Sequence, residues 1–526
     1  MNYHPNWIAT FACSLFLFLQ LTDIYGQTYE VFDQNLKLKS RLEYDQISIL
    51  GESVRISTSN NEIKLLSKEY KPFVHLKAER VIGYNQPWII IEGPKGKGVF
   101  HEYGEDILLP EYDDIQTFYT LILANKGNQY WIYDHSSRNT SPIGSFDHAV
   151  MARNGQVIAK TDQGYYLPLS INPNHLYSEI IEVNDNFLIS KEDSGFGLIN
   201  RDGDYILQPI IDHIVHVEGN FFYAFDGNQY MLIRAREGKV DITYTSYHKI
   251  TLEDGMMLEY IHGKLRRVMK NDGILLDQTG MEKVFSVGKK HYNVLLKDNR
   301  IGLLGPNGWI INPVAGNIET ILLGAESLFP AKKSNLFGFV NQSGAWVIEN
   351  KYQEVRNFKD GMAAVKIEGG WGFLNKEGIK VTSSGFDQVS DFNNSLAVIK
   401  KNGKYNLIDQ NGNMLFFEGF DRITSAVENY FITENNNLYG LIAPNGKEIV
   451  EPKFQELRRE DLNRILVRTG NKYGIIDENG DYLLPVYYKS ITFDSGSDQI
   501  LAEDQYQFFQ SEPEILQAPI KKKKGE

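Results

Sequence analysis

The chain has 526 residues, of which 42% are hydrophobic and 12% aromatic, and its formal net charge is −13. A chain of this length is not expected to fold around one compact core, so the sequence predicts several domains or an array of repeats. The apolar content excludes a disordered protein, and the negative charge argues against sequence-independent binding of nucleic acid, which requires a basic surface.

A short apolar stretch lies near the start of the chain, at residues 11–21 (FACSLFLFLQL). It is shorter than the roughly 20 residues that cross a bilayer, but it suits the core of a signal peptide. Residues 25–27 (YGQ) resemble the cleavage region of exported proteins of Bacteroidetes-type bacteria, with removal after Gly26. The alternative is that this segment is an uncleaved membrane anchor or that the first residue of the protein has been assigned wrongly. We therefore expect an exported chain that is periplasmic, attached to the cell surface or secreted, with no transmembrane segment.

The single cysteine, Cys13, lies inside this first segment. A mature chain that begins at Gln27 has no cysteine, so the sequence predicts no disulfide, zinc–thiolate site or cysteine nucleophile there.

One short string recurs along the rest of the chain, for example at residues 371–378 (WGFLNKEG), 439–446 (YGLIAPNG) and 473–480 (YGIIDENG). Its glycine position falls at residues 302, 338, 372, 406, 440 and 474, in steps of 36, 34, 34, 34 and 34 residues, and Asn406 replaces one glycine. Weaker copies upstream and one partial copy downstream bring the candidate units to fifteen between residues 28 and 510. A fixed period of this length indicates a repeat architecture.

The glycine after the motif aromatic is present in seven copies, at Gly98, Gly197, Gly302, Gly338, Gly372, Gly440 and Gly474. Two explanations are open. A bulge with positive φ would suit both glycine and Asn406, and a close backbone approach between neighbouring units would also require glycine. Both are structural roles.

A second marker, an aromatic, a polar pair and an aliphatic residue, follows the glycine position by 14 residues in six units: 44–47, 112–115, 352–355, 386–389, 420–423 and 454–457. Its aspartates are expected to cap turns by accepting backbone hydrogen bonds, and a ladder of calcium sites is the alternative.

Asn-Gly or Asp-Gly pairs at residues 154, 202, 272, 307, 402, 411, 445 and 479 are typical of two-residue type I′ hairpins. So many breakers argue against a helical repeat of the same period. The predicted fold is all-β, with tandem repeats of about 34 residues. Each repeat has about three short antiparallel strands, and together they form a solenoid or a propeller-like array.

Differences in motif quality predict the domain organisation. Residues 1–26 are the signal peptide, 27–215 an N-terminal β-repeat block, 216–290 degenerate repeats that could form a joint, and 291–510 a C-terminal block. Residues 511–526 form a basic tail with four consecutive lysines.

The motif resembles that of the WG-repeat family, also called KWG repeats. Residues 370–378 (GWGFLNKEG) are similar to its Lys-Trp-Gly-Phe-Ile-Asp string and turn, and residues 391–399 (DFNNSLAVI) are similar to its Phe-x-x-Gly-Leu-Ala-x-Val step, with Ser395 in place of glycine. The resemblance implies a bacterial β-rich repeat protein whose motif residues, including Trp371 and Gly372, are structural. It identifies neither catalytic residues nor a ligand.

We found no pattern that predicts a catalytic residue, a cofactor site or a metal site. Residues 477–481 (DENGD) lack the glutamate that would complete a calcium loop, since Tyr488 stands there. Trp309 and Trp346 follow turns and are candidate ligand contacts, although packing on a neighbouring repeat is the alternative.

The sequence therefore favours a non-enzymatic binding or scaffolding module with a protein partner. The alternatives are a module that binds a cell-envelope glycan, which a row of exposed aromatics would favour, and a glycan hydrolase, which carboxylates in a deep cleft would favour.

Overall fold

The structure is a computed structural model. It describes residues 25–52, 54–59, 62–253, 256–271, 273–382, 385–425, 430–461 and 463–509. The predicted signal segment before Tyr25, with Cys13, and the basic tail 511–526 lie outside the described residues. All regular elements within these ranges are β-strands, and this part of the chain contains no helix with the length and apolarity needed to span a membrane.

The strands of the N-terminal region are β1 (Tyr25–Asp33) and β2 (Leu38–Tyr44), followed by three sheets of four: β3 (Gln46–Leu50), β4 (Val54–Ser59), β5 (Glu62–Leu66) and β6 (Pro72–Leu76); β7 (Arg80–Asn85), β8 (Trp88–Gly93), β9 (Gly96–His101) and β10 (Asp106–Tyr112); β11 (Asp114–Phe118), β12 (Leu121–Lys126), β13 (Gln129–Asp134) and β14 (Asn139–Ser145).

The next four sheets are β15 (His148–Met151), β16 (Val157–Thr161) and β17 (Gly164–Tyr166); β18 (Glu179–Glu182), β19 (Leu188–Glu192), β20 (Gly195–Ile199) and β21 (Tyr205–Ile211); β22 (His213–Glu218), β23 (Phe221–Phe225), β24 (Tyr230–Arg236) and β25 (Lys239–Ser246); β26 (Lys249–Glu253), β27 (Met256–Ile261), β28 (Lys264–Lys270) and β29 (Gly273–Asp277).

Six sheets follow: β30 (Met281–Gly288), β31 (His291–Leu296), β32 (Ile301–Gly305) and β33 (Gly308–Val314); β34 (Thr320–Ile321), β35 (Phe329–Lys333), β36 (Leu336–Val340) and β37 (Trp346–Tyr352); β38 (Glu354–Val355), β39 (Met362–Ile367) and β40 (Gly370–Asn375); β41 (Gln388–Val389), β42 (Leu396–Lys401) and β43 (Lys404–Asp409); β44 (Arg422–Ser425), β45 (Phe431–Asn435), β46 (Leu438–Ile442) and β47 (Glu448–Phe454); β48 (Glu456–Arg459), β49 (Ile465–Thr469), β50 (Lys472–Ile476) and β51 (Tyr482–Tyr488). The last strands are β52 (Ser490–Asp494) and β53 (Gln499–Phe509).

The described residues thus form 14 antiparallel sheets, 11 with four strands and three with three. In 13 of them consecutive strands pair as a meander, which is the sheet type of a β-propeller blade. The predicted all-β class with a repeating antiparallel unit is confirmed, and most units have a fourth strand beyond the three predicted. The recurring string forms the third strand of each regular meander, as β40 and β46 show.

The described residues divide into two compact units, one formed by those up to His75 with those from Tyr487 onward, and one within residues 76–486. In the first unit, one sheet has the strand order β2-β1-β53-β52, so the two ends of the described chain share a sheet. Gln27 pairs with Gln507, and Val31 pairs with Leu501. The first and last of the fifteen candidate copies are therefore neighbouring strands of one sheet, which explains why 14 sheets form.

The sheet of β3–β6 also belongs to the first unit, whereas strands β7–β50 lie in the second, where hydrophobic clusters join consecutive sheets. One cluster combines Phe339 and Tyr352 of β36 and β37 with Ala363 and Leu374 of the following sheet. Hydrogen bonds between turns add to this packing, since the backbone N–H of Ser395 donates to the Asp360 carboxylate at 3.0 Å. Each sheet therefore depends on its neighbours for burial, as expected for a repeat array.

The motif glycines correct one prediction. None of the seven has a φ in the left-handed region, so the positive-φ explanation is wrong. A Cβ added at Gly440 would lie 2.5 Å from the carbonyl oxygen of Val450, and one at Gly98 would lie 2.6 Å from that of Leu108. The close approach is therefore real, but it involves the fourth strand of the same sheet, which bulges over the glycine, and not a neighbouring unit.

Asn406 shows how a different residue satisfies the same position. Its sheet has only three strands, and its buried side chain bonds the backbone of Phe416, donating to the carbonyl at 2.5 Å and accepting from the N–H at 3.1 Å. The amide thus occupies the space and makes the contacts that the bulged strand supplies in other sheets.

The turn type also differs from the prediction. Asn402-Gly403 has positive φ at both residues, as a type I′ turn requires. The turns that follow the motif strand do not, since only Gly446 and Gly480 have positive φ in the pairs at 445 and 479. There, Gly480 donates to the Asp477 carbonyl at 3.1 Å, and the Asp477 side chain accepts further backbone N–H groups. These are longer loops with a left-handed glycine.

Candidate binding surface

A cation lies over the motif aromatic in six sheets of the second unit. The cation comes from the second strand and the aromatic from the position directly opposite on the third, with 5.1–6.0 Å between the charged group and the ring centroid. We call these pairs the cation–aromatic row: Lys160–Tyr165, Lys191–Phe196, Lys332–Phe337, Lys366–Trp371, Lys400–Tyr405 and Arg468–Tyr473.

The rings of the row are half-buried, so each presents part of its surface to solvent. Trp371 packs with one face on the cluster around Phe373, and its backbone N–H donates to the carbonyl of Phe386 at 2.9 Å. The aromatic of the second marker, by contrast, is buried in the four units of the C-terminal block that carry it, as Phe386 and Phe454 show, and half-buried at Tyr44 and Tyr112. The second marker therefore supplies the core, and the motif aromatic supplies the surface.

A polar residue of the first strand completes each pair. Glu456 accepts a hydrogen bond from Arg468 at 2.9 Å and one from the Tyr473 hydroxyl at 3.4 Å, and Glu354 forms an ion pair with Lys366. The residue opposite the cation is an acid in three of the six sheets and an uncharged polar residue or histidine in the other three: Glu179, Glu354 and Glu456, and His148, Thr320 and Gln388. The charges of Lys366 and Arg468 are thus compensated within the chain.

Aspartates of the second marker cap the turn between the second and third strands in two sheets, as predicted. Asp113 accepts from the backbone N–H of Gly127 at 2.6 Å, and Asp421 accepts from that of Asn436 at 2.9 Å. The hydrogen bonds from Lys404 and Asn436 hold the pKa of Asp421 below its usual range. In the part of the chain that the structure describes, no three acidic, histidine or cysteine side chains form a group able to hold a metal ion.

One repeat keeps the motif aromatic but has an acid in place of the cation. In the sheet of β44–β47, Glu434 stands opposite Tyr439, where the six pairs have a cation, and Arg422 stands opposite Glu434, where three of the six pairs have an acid. A cavity of about 340 Å³ opens at this point, and its walls include Tyr439, Glu434 and, from the next sheet, Glu456.

A second cavity, of about 200 Å³, lies at the opposite end of the same strands. Its walls include Tyr430, Glu448 and Glu478. Burial, and then the neighbouring Glu451, raise the pKa of the Glu448 carboxyl.

The structure places both candidate tryptophans against hydrophobic clusters that join neighbouring sheets. Trp309 packs on the cluster of Val294 and Leu304, and Trp346 packs on the cluster of Ile311 and Val340. Both are half-buried and lie outside the cation–aromatic row. Trp371 and the motif glycines lie on the third strand, which carries the aromatic side of the row.

Sequence reasoning missed the cations. Each precedes its aromatic by five residues, as Lys366 precedes Trp371 and Arg468 precedes Tyr473. That spacing was visible in the repeats, but its meaning depends on the tight turn between the strands, which sets the two residues opposite each other. Glu434 precedes Tyr439 by the same five residues but has the opposite charge.

The solved structures that match the chain have little sequence identity to it and low TM-scores. The extracellular domain of BT4673 of B. thetaiotaomicron, described as a one-component system, is 11% identical, with 91% of this chain and 82% of that chain covered and a TM-score of 0.18. The extracellular domain of BT3049 of B. thetaiotaomicron, described as a hybrid two-component system, is 9% identical, with 91% and 79% covered and a TM-score of 0.22. PorZ of Porphyromonas gingivalis, described as a surface component of the type-IX secretion system, is 9% identical, with 89% and 80% covered and a TM-score of 0.19.

No curated protein matches the chain. The WG-containing repeat family matches residues 196–230, 337–371, 371–405 and 439–473. Each segment begins at the motif aromatic and spans about one step of the repeat, and the four starting residues are Phe196, Phe337, Trp371 and Tyr439. These four matches identify the chain as one that contains WG repeats.

Proposed function

We propose that this protein is an exported, non-enzymatic binding module and that the cation–aromatic row is the surface that contacts a protein partner. The observation that carries the proposal is the recurrence of a half-exposed aromatic with a cation over it in six sheets. Aromatic side chains and arginine are the residues that contribute most at protein interfaces, so the six rings and Arg468 carry this argument.

A protein partner fits this surface better than a glycan does. A sugar stacks on an open ring face, whereas one face of Trp371 packs inside and Lys366 lies over the ring. Alternating acids, cations and rings instead suit the mixed charges of a protein surface. The hydrolase alternative has less support, since the Glu456 carboxylate beside the cavity is engaged by Arg468 and Tyr473.

Export is the second part of the proposal, and it rests on residues 11–21 and 25–27. Intact-mass analysis of protein recovered from the cell envelope or medium should give a chain that begins at Gln27 and has no free thiol. A full-length cytoplasmic product with a titratable Cys13 would contradict export.

Capture by the immobilised mature chain from an envelope extract tests the surface. We expect capture to disappear when the extract is digested with protease, and to weaken strongly in a variant with Lys366→Gln, Lys400→Gln and Arg468→Gln. Lys447→Gln serves as the control, because Lys447 is exposed in the turn at the other end of the strands. Capture that survives protease but is lost on periodate oxidation would establish the glycan alternative. Equal capture by the row variant would move the binding site elsewhere.

A further inference from the structure

The repeat itself shows what belongs in the cavity beside Tyr439. In six sheets, the chain's own lysine or arginine lies over the motif ring. In the sheet of β44–β47, the residue at that position is Glu434, and a cavity of about 340 Å³ opens there. The ring is retained while its cation is replaced by a carboxylate, so the site has the surroundings of a cation without the cation itself.

The chemistry of the walls suits one cationic side chain. The cavity combines the Tyr439 ring and the Glu434 carboxylate with the aliphatic side chains of Ile432 and Leu457. An ammonium or guanidinium group can lie over the ring and donate charge-assisted hydrogen bonds to the carboxylate, while its methylene stem contacts the aliphatic wall. The volume lies at the low end of the roughly 300–1,000 Å³ of small-molecule sites, as expected for a single side chain.

Two further charges line the cavity. Glu456 faces it but is already paired with Arg468. Arg422 is the opposing factor, because its positive charge lies opposite Glu434 in the ladder and on the wall of the same cavity. A bound cation would be repelled by Arg422, whereas a bound anion would require it.

We infer that this cavity binds a lysine or arginine side chain of a protein partner, in the position that Lys366 and Lys400 occupy in neighbouring repeats. The inference rests on the proposed binding function and names the chemistry that one repeat contributes to it. The partner's cation would lie over the Tyr439 ring, as the chain's own lysine or arginine lies over the motif ring in the six pairs of the cation–aromatic row.

Nα-acetyl-arginine amide is the probe that tests the inference, with Nα-acetyl-citrulline amide as its uncharged isostere. The readout is the ring shift of Tyr439 in the mature chain with ¹³C-labelled tyrosine, assigned through Tyr439→Phe. We expect a saturable shift with the arginine probe and roughly tenfold weaker binding of the citrulline probe.

Three variants sharpen the test. Glu434→Lys places the chain's own cation over the ring, so it should keep the unfolding temperature and abolish the shift. Arg422→Gln should strengthen binding severalfold. Glu478→Gln, in the second cavity, is the matched control and should bind the probe as the wild type does.

The inference is overturned by the absence of a saturable shift, by equal binding of the two probes, by undiminished binding to Glu434→Lys or by weaker binding to Arg422→Gln, since the last result would indicate an anionic ligand. Because the probe needs no partner, the two proposals fail separately. Envelope capture without a Tyr439 shift removes only this site, whereas a Tyr439 shift with capture unaffected by the row variant removes only the proposed surface.

Discussion

Replacing Asp494 with asparagine should destabilise the first compact unit strongly. Arg55 and Asp494 are both fully buried, and the guanidinium of Arg55 donates to both carboxylate oxygens, one of them at 2.6 Å. The Tyr70 hydroxyl donates to the same carboxylate at 2.8 Å. Asparagine removes the charge and leaves a buried guanidinium without its counterion, which costs about 3–5 kcal/mol. Against a typical domain stability of about 5–15 kcal/mol, this loss is large.

Urea denaturation followed by tyrosine fluorescence measures the effect, and limited proteolysis should show earlier cleavage near both chain ends. Arg55→Met with Asp494→Leu should restore most of the stability, because an apolar pair of similar volume removes both buried charges. Glu62→Gln, at an exposed ion pair with Lys64 in the same unit, should have no measurable effect. A loss of stability below about 1 kcal/mol for Asp494→Asn would refute the reasoning, since an uncompensated buried charge destabilises the folded state by more than that.

The same ion pair makes the stability of the first compact unit depend on pH. Burial raises the pKa of the Asp494 carboxyl, but the hydrogen bonds from Arg55, Ser497 and Tyr70 together lower it by more than burial raises it. The net pKa of this carboxyl therefore lies below its usual range. A carboxyl with a depressed folded-state pKa contributes its stability above the unfolded pKa, about 3.9, and loses it as the pH falls through the folded value. The difference between wild type and Asp494→Asn should therefore be complete above about pH 5 and shrink below about pH 4.

The remaining predictions concern the repeat. Gly440→Ala should cost at least about 1–3 kcal/mol, because backbone atoms of the bulged strand occupy the space of the new Cβ, whereas Gly238→Ala, with nothing within 4 Å, should be tolerated in the same urea titration. Trp371→Ala should cost about 1–2 kcal/mol for a half-exposed ring, and Phe373→Ala, in the core, about 3–5 kcal/mol. Limited proteolysis should cut first within residues 216–290, where the motif is weakest, and a first cut in the well-matched C-terminal repeats would contradict that ranking.

Much of the fold could be predicted from local sequence. Short runs of branched and aromatic residues between turn signals require strands, because strand formation depends on neighbours within about ten residues. Two markers that recur in phase about every 34 residues require a repeat. The buried aromatic of the second marker and the capping role of Asp113 and Asp421 follow from the same local chemistry.

The failures have two causes. Gly440 is required by the bulged strand opposite it, and not by its own φ, so the deciding atoms belong to another strand. The turn at residues 445–446 instead depends on a side chain within the turn, since Asn445 accepts from the backbone N–H of Lys447, and dipeptide statistics do not contain that hydrogen bond.

The sequence by itself determined the strands, their period and the alternation that puts apolar side chains inside, because these depend on short-range backbone and side-chain preferences. Only the tertiary structure decided that the first and last copies share a sheet, that a cation faces the motif aromatic in six sheets, and that a cavity lies beside Tyr439 and Glu434. The physical reason is that strand pairing joins residues distant in sequence through backbone hydrogen bonds, which nearly every residue can make. Composition therefore predicts that strands pair, but not which strands pair or which side chains meet across them.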